Sequence, residues 1–441
     1  MSLPMRRFGF LSALLLLCGL LSFERAPAQA LNVEITGGLK TATPIVVVPF
    51  AQSGAPLPTD VADVMRNDFN RCGKFRALAR SEIVETPSRG ADIKFPTWRL
   101  LKQDYIVVGH IDDAGSGMVQ VEYELWDVNR QQSLLHQAMP PVPVGDLRGV
   151  AHQIADAVYQ KITGVRGAFW TRIAYITAVG LGNRATYSLI VADSDGYNPQ
   201  VVARSRESLL TPRWSPDGSK IAYVSFESGN SQIYIQDITT GARQLVASHP
   251  RGINGAPAWS PDGSKLAIAL SYVGNPEIFV LDLASRRETR LTNNLAIDTE
   301  PVWAPDGQSI YFTSDRSGRP QIYQMPATGG TPTRITFQGQ SNYDADVSFD
   351  GKQLAMVQGN GNVYRIAVMD LGLDGQVRFL SPGPIDESPK FAPNASMLLY
   401  AATEGPRGVL YAVSADGMVR QRLMLADGDV REPAWGPYRQ R

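Results

Sequence analysis

Residues able to do chemistry are few in this chain, and their spacing suits little of it. The four histidines, His110, His136, His152 and His249, show no metal-binding interval such as H-E-x-x-H. There is no G-x-S-x-G nucleophile elbow, phosphate-binding glycine loop or dinucleotide fingerprint. Asp193-Ser-Asp195-Gly-Tyr-Asn198 opens like a calcium loop, but Arg204 stands where the twelfth-position glutamate belongs, so it reads as a turn. What recurs is acid: Asp298-Thr-Glu300, Asn342-Tyr-Asp344, Asp386-Glu387 and Glu432, with Asn254-Gly-Ala256 in the equivalent place. Carboxylates gathered in this way suit the docking of a peptide, a protein loop or a cation. A ring of solvated loops would carry the same residues, and the sequence alone does not choose. The pattern points to binding rather than catalysis, with no cofactor and no metal expected.

A repeat places these acids. Pro212-Arg-Trp214-Ser-Pro-Asp-Gly218 returns as Pro257-Ala-Trp259-Ser-Pro-Asp-Gly263 and Pro301-Val-Trp303-Ala-Pro-Asp-Gly307. Weaker copies begin at Ala345, Pro389 and Pro433, and the successive intervals are 45, 44, 44, 44 and 44 residues. Ser-Pro-Asp-Gly fits a type I turn, with proline presetting φ and glycine closing it. Alternating strands follow each turn, as in Lys220-Ile-Ala-Tyr-Val-Ser225 and Ser309-Ile-Tyr-Phe-Thr-Ser314. With the short strand carrying the tryptophan position, each repeat supplies four strands, which is a propeller blade. Strand triplets begin near Arg172, Lys220, Lys265, Ser309, Gln353 and Met397, one step out of phase with the six short strands. Pro433-Ala-Trp435 must then complete the blade that Arg172 begins, closing a six-bladed ring without an orphan edge. The acids would converge on one mouth of its channel.

Residues 1–30 have the form of an export signal: Arg6 and Arg7, an apolar run from Phe10 to Leu21, then Ala28-Gln29-Ala30. That run is shorter than the roughly 20 residues a membrane span needs. Cleavage would leave a chain starting at Leu31 with a net charge near −2, against zero for the whole sequence. Such a balance offers no reason to expect nucleic acid or an anionic membrane as partner. Cys72 would be the one remaining cysteine, a packed residue rather than a reactive thiol, so stability must come from burial.

Residues 31–43 form an arm, alternating apolar and polar from Leu31 to Thr36, either a short strand or mobile. An α/β domain spans 44–163, with a buried strand at Pro44–Phe50 and a helix ending at Arg71 with Thr59 as N-cap. Strands at Tyr105–Gly109 and Val119–Trp126 and a helix over Asp146–Thr163 complete it. The boundary falls at 164–167 and the propeller occupies 168–441. The fold class is thus mainly β: a six-bladed β-propeller, its first blade closed by the C-terminal strand, behind an N-terminal α/β domain.

Several motifs are similar to those of the TolB family, periplasmic propellers of the Tol–Pal system. They are Pro44-Ile-Val-Val-Val-Pro-Phe50, Cys72-Gly-Lys-Phe75, Asn254-Gly-Ala-Pro-Ala-Trp-Ser-Pro-Asp-Gly263, Thr299-Glu-Pro301, Tyr343-Asp-Ala-Asp-Val347 and Pro433-Ala-Trp435. The resemblance covers nearly all of the mature chain. It implies a periplasmic, monomeric, non-enzymatic adaptor that helps maintain the outer membrane during cell division. It implies binding of the lipoprotein Pal at Asn254, Gly255, Ala256, Asp298, Thr299, Glu300, Asp344 and Asp386. It also implies binding of TolA through Leu31, Asn32, Val33, Glu34, Ile35 and Thr36. In the family this arm docks on its own protein or is released, and Pal binding shifts that balance; some colicins exploit the Pal site. This chain departs from the pattern at Gly37-Gly38, in the arm. Charge reversal at Glu300 is expected to weaken Pal binding and spare stability. The competing reading is a propeller enzyme, a hydrolase or lactonase acting in the channel.

Overall fold

The computed structural model describes residues 33–35, 42–54, 56–180, 182–372, 375–423, 425 and 428–440. The export segment, Leu31, Asn32 and Thr36 lie outside the described residues.

The apolar run Ile45–Val48 is buried on both faces, as a strand inside a layered sheet must be. Ile45 and Val47 pack toward helices α1 (Val61–Arg71) and α3 (Leu147–Thr163). Val46 and Val48 pack around Trp98 of the short helix α2 (Phe95–Leu100). The sheet runs in the order Phe75–Ala77, Thr43–Val47, Tyr105–Gly115, Met118–Asp127, Gln132–Ala138. Its first three strands are parallel and the rest antiparallel. Helix α1 is capped by Asp60, not Thr59: the Asp60 carboxylate accepts the Asp63 N–H at 3.0 Å. Val61, Met65 and Phe69 repeat at helical spacing and face the core. Cys72 follows them into it, and burial pushes its thiol up to about 11.

The propeller has six sheets, each built around one inner strand. In blade one that strand is Asp429–Trp435 from the C-terminus, antiparallel to Arg172–Val179, with Trp435 opposite Ile173. The ring therefore closes as the phase of the repeat demands. Blades two to six start from Leu209–Trp214, Asn254–Trp259, Asp298–Trp303, Ser341–Val347 and Asp386–Phe391. Tryptophans join the blades: Trp214, Trp259 and Trp303 donate their indole N–H to Ala434, Arg213 and Ala258 carbonyls at 3.3, 3.0 and 3.1 Å. Each Ser-Pro-Asp-Gly turn closes as in Gly218, whose N–H reaches the Ser215 carbonyl at 2.9 Å with φ at +70°.

Blade six carries a fifth strand. Val33–Ile35 lies antiparallel along Val419–Arg422, with Glu34 opposite Arg420. The arm is thus a strand, and it extends a propeller sheet. The N-terminal domain meets the end of the ring where inner strands finish: Arg71 reaches Ser194, Lys74 pairs with Asp416, and Asn394 donates to the Arg166 carbonyl.

Candidate functional site

One residue before the repeat's proline position, every inner strand turns left-handed. The φ values are +46° at Thr211, +48° at Ala256, +53° at Glu300, +46° at Asp344, +56° at Ser388 and +52° at Glu432. In five of the six, the next residue is proline, which itself disfavours helical backbone in its predecessor. A non-glycine residue held there costs about 1–3 kcal/mol and persists where its surroundings over-determine it. Each lies in a bulge that interrupts pairing with the second strand.

The bulges turn acids toward the neighbouring blade around the channel. Glu300 Oε2 accepts the Asp344 backbone N–H and the Thr313 hydroxyl, both at 2.8 Å. Glu432 Oε2 accepts the Thr211 N–H at 3.3 Å, the same bond between another pair of neighbouring blades. Lys390 Nζ donates to Asp344 Oδ1 at 3.0 Å, and Arg213 stands 3.8 Å from the same oxygen. Asp346 accepts the Phe391 N–H at 2.8 Å. Four carboxylates, Glu300, Asp344, Asp346 and Glu432, therefore share two lumen cations, while half-exposed Glu387 has Arg431 as its nearby cation. Burial and the Asp344 charge push Glu300 up to about 7. Burial likewise raises Asp346, Glu387 and Glu432. Asp344 goes the other way: despite burial, Lys390 and Arg213 hold it below the usual range. Among the described residues, no three His, Cys, Asp or Glu side chains form a group able to hold a metal ion. Beyond Arg213 and Lys390 the channel widens into a cavity of about 490 Å³ walled by Trp259, Trp303, Phe391 and flanking prolines.

The eight mouth residues singled out from the sequence divide by depth. Asn254, Asp298 and Asp386 are buried and fasten the loop that precedes them. Asn254 accepts the His249 N–H at 2.9 Å, Asp298 the Asn294 amide at 2.8 Å, and Asp386 the Gly383 N–H at 2.8 Å. Asp298 also takes two bonds from Arg316, at 2.9 and 2.7 Å. Asn342 does the same work in blade five, accepting from Gln358 and donating to the Gln338 carbonyl. Gly255, Ala256 and Thr299 are partly exposed at the mouth, and Glu300 and Asp344 form its inner wall. Val33, Glu34 and Ile35 of the arm belong to the edge strand on blade six.

Around the mouth runs an apolar rim that the repeat motif does not announce. Ile253, Ile297 and Ile385 occupy one repeat position, directly before the buried fastening residue, and are 56, 48 and 47% exposed. Leu295 and Phe337 stand out from neighbouring loops, and His249 stacks on Tyr272 at 4.0 Å while pairing with Glu288. The signal was available as isoleucine four residues before the proline in blades three, four and six. Solvent-exposed apolar loops around a polar centre mark a contact surface for protein.

The chain is thus a closed six-bladed propeller with a strained, self-paired acidic lumen and an apolar rim, behind an N-terminal α/β domain. Residues 159–439 match the model described as the TolB beta propeller domain, and residues 31–134 match the TolB amino-terminal domain. Two relatives called Tol-Pal system protein TolB, from Xanthomonas euvesicatoria pv. vesicatoria and Xanthomonas axonopodis pv. citri, are 61% identical over 442 residues. These matches cover 100% of this chain and 99% of each relative. The crystal structure of TolB from Acinetobacter baumannii superposes with a TM-score of 0.84 at 40% identity, covering 92% of this chain and 100% of that one. The chain belongs to the TolB family and is a component of the Tol–Pal system.

Proposed function

We propose that the chain is a periplasmic adaptor that binds Pal on the rim of the propeller mouth and TolA through its arm. The observation that carries this reading is the exposure of Ile253, Ile297 and Ile385 at one repeat position around the acidic mouth. Glu300, Asp344, Asp346 and Glu432 already hold partners within the lumen, so a binding protein gains most by covering the apolar rim, with Gly255, Ala256 and Thr299 beside it. The export-type N-terminus supports the periplasmic location, and among the described residues no helix is long and apolar enough to cross a membrane. The edge position of Val33–Ile35 supports the second contact, because a segment that pairs as a strand here can pair with another sheet edge once free.

Titration calorimetry with the purified soluble domain of Pal tests the first contact. One-to-one binding that an Ile297→Asp substitution weakens about tenfold or more is the expected result. No binding by the intact mature chain would remove the reading, and turnover of small esters or lactones without any partner would favour the enzyme instead.

A further inference from the structure

Between the two domains lies a charge cluster that the mouth and the arm do not use. His152, on α3, is buried at the joint. Its Nδ1 is 2.6 Å from Asp68 Oδ2 on α1, and Asp68 Oδ1 accepts two bonds from Arg71. Arg71 in turn donates to the Ser194 carbonyl at 3.0 Å and hydroxyl at 2.8 Å, in the turn of blade one. The other ring nitrogen of His152, Nε2, has no hydrogen-bond partner among the described residues and faces Asp195 Oδ2 at 3.7 Å. Arg148, one turn earlier on α3, pairs with that same Asp195 oxygen. Asp156, one turn later on α3, takes the N–H groups of linker residues Phe169 and Trp170 at 2.7 and 3.2 Å. Three carboxylates thus meet two guanidinium groups, and a charged imidazole balances them. The turn that opens like a calcium loop is one side of this joint.

We propose that His152 is a proton-operated latch between the domains: as imidazolium it bridges Asp68 to Asp195, and losing the proton loosens the joint. Burial opposes charge on the ring, but the Asp68 and Asp195 carboxylates outweigh it and raise its pKa. A group whose folded pKa is raised contributes stability that is complete below about 6.5 and lost as pH rises through the folded value. Asp195 does not mimic this: despite burial, it is held low by His152, Arg148 and Arg71, so its contribution fails only in acid. Asp156, pushed to about 6 by burial, titrates in the same direction at the lower end of the range, and a His152→Gln variant, which keeps Asp156, separates the two.

The test uses the mature chain with spin labels at the exposed positions of Lys94 and Lys352, one in each domain, and reads the spread of distances between them. A narrow distribution near pH 6 that broadens near pH 9 is expected, with His152→Gln broad at both. A wild-type distribution that does not change with pH would overturn the latch. Nuclear magnetic resonance of the His152 ring gives a reading independent of any variant. A ring that titrates above about 6.5 supports the proposal, and one that titrates at or below it refutes it.

Discussion

Glu300 and Asp344 sit at the same repeat position in adjacent blades, and the Asp344 backbone N–H donates to Glu300 Oε2 at 2.8 Å. Both residues have left-handed backbone, so the bond ties one strained turn to the next around the channel. Two like charges share a lumen in which Lys390 and Arg213 favour Asp344, and Glu300 is therefore the member that takes up a proton.

That asymmetry predicts a pH dependence of the propeller. Glu300 is raised to about 7, so its share of stability is complete below about 4.5 and disappears as pH rises through 7. Urea midpoints should fall between about pH 5 and pH 8, and Glu300→Gln should flatten part of the fall, on the order of 2 kcal/mol. Slopes of equal steepness in both proteins would contradict the assignment. Glu300→Lys is now expected to lower stability as well as Pal binding, because it removes an acceptor of two bonds.

The rim predicts a separation of binding from folding. Ile253→Asp and Ile297→Asp alter half-exposed side chains, so melting should shift by no more than about 0.5 kcal/mol equivalent. Pal affinity should fall about tenfold or more, the loss expected when a rim anchor becomes charged. Calorimetry showing unchanged affinity would place Pal elsewhere.

Closure by the C-terminus predicts that removing residues 430–441 damages every blade. Trp435 is buried and donates to the Thr171 hydroxyl at 2.9 Å, and its loss alone is worth about 3–5 kcal/mol. The truncated chain should unfold at much lower temperature, and an unaltered calorimetric transition would refute closure as the source of stability.

The arm adds three paired residues to blade six and little else among the described residues. Removing residues 31–41, which leaves the strand Thr43–Val47 whole, should keep Pal binding and the melting temperature. TolA binding should vanish. Retained TolA binding in this truncation would move the contact to the folded domains.

Cys72 supplies a control on packing. A thiol buried and pushed to about 11 should not react with an aromatic disulfide reagent near pH 8 until the chain is unfolded in guanidinium. Rapid native labelling would mean that the α1 end opens.

The ring was legible because its signals are local and repeated. Ser-Pro-Asp-Gly chooses a turn wherever it stands, and the phase between triplets and short strands leaves one way to close. Helix α2 escaped notice because six residues opening Phe95-Pro96 are too short to show a helical period. The strand Gln132–Ala138 escaped because most of it is exposed and polar, without the alternation that betrays a half-buried strand. Thr59 and Asp60 are both good caps, and only the backbone at Asp60 settles which one accepts the Asp63 N–H.

From residue order alone follow the blade count, the closure at Trp435 and the gathering of acids before each inner strand, since periodicity and turn chemistry act over a few residues. The rest waited for the fold. Asp298 turned inward to Arg316 while Glu300 turned to the next blade, and His152 met Asp195 across 43 positions of sequence. Those outcomes depend on which groups burial brings within hydrogen-bond distance and strips of water, and spacing along a chain carries no record of that.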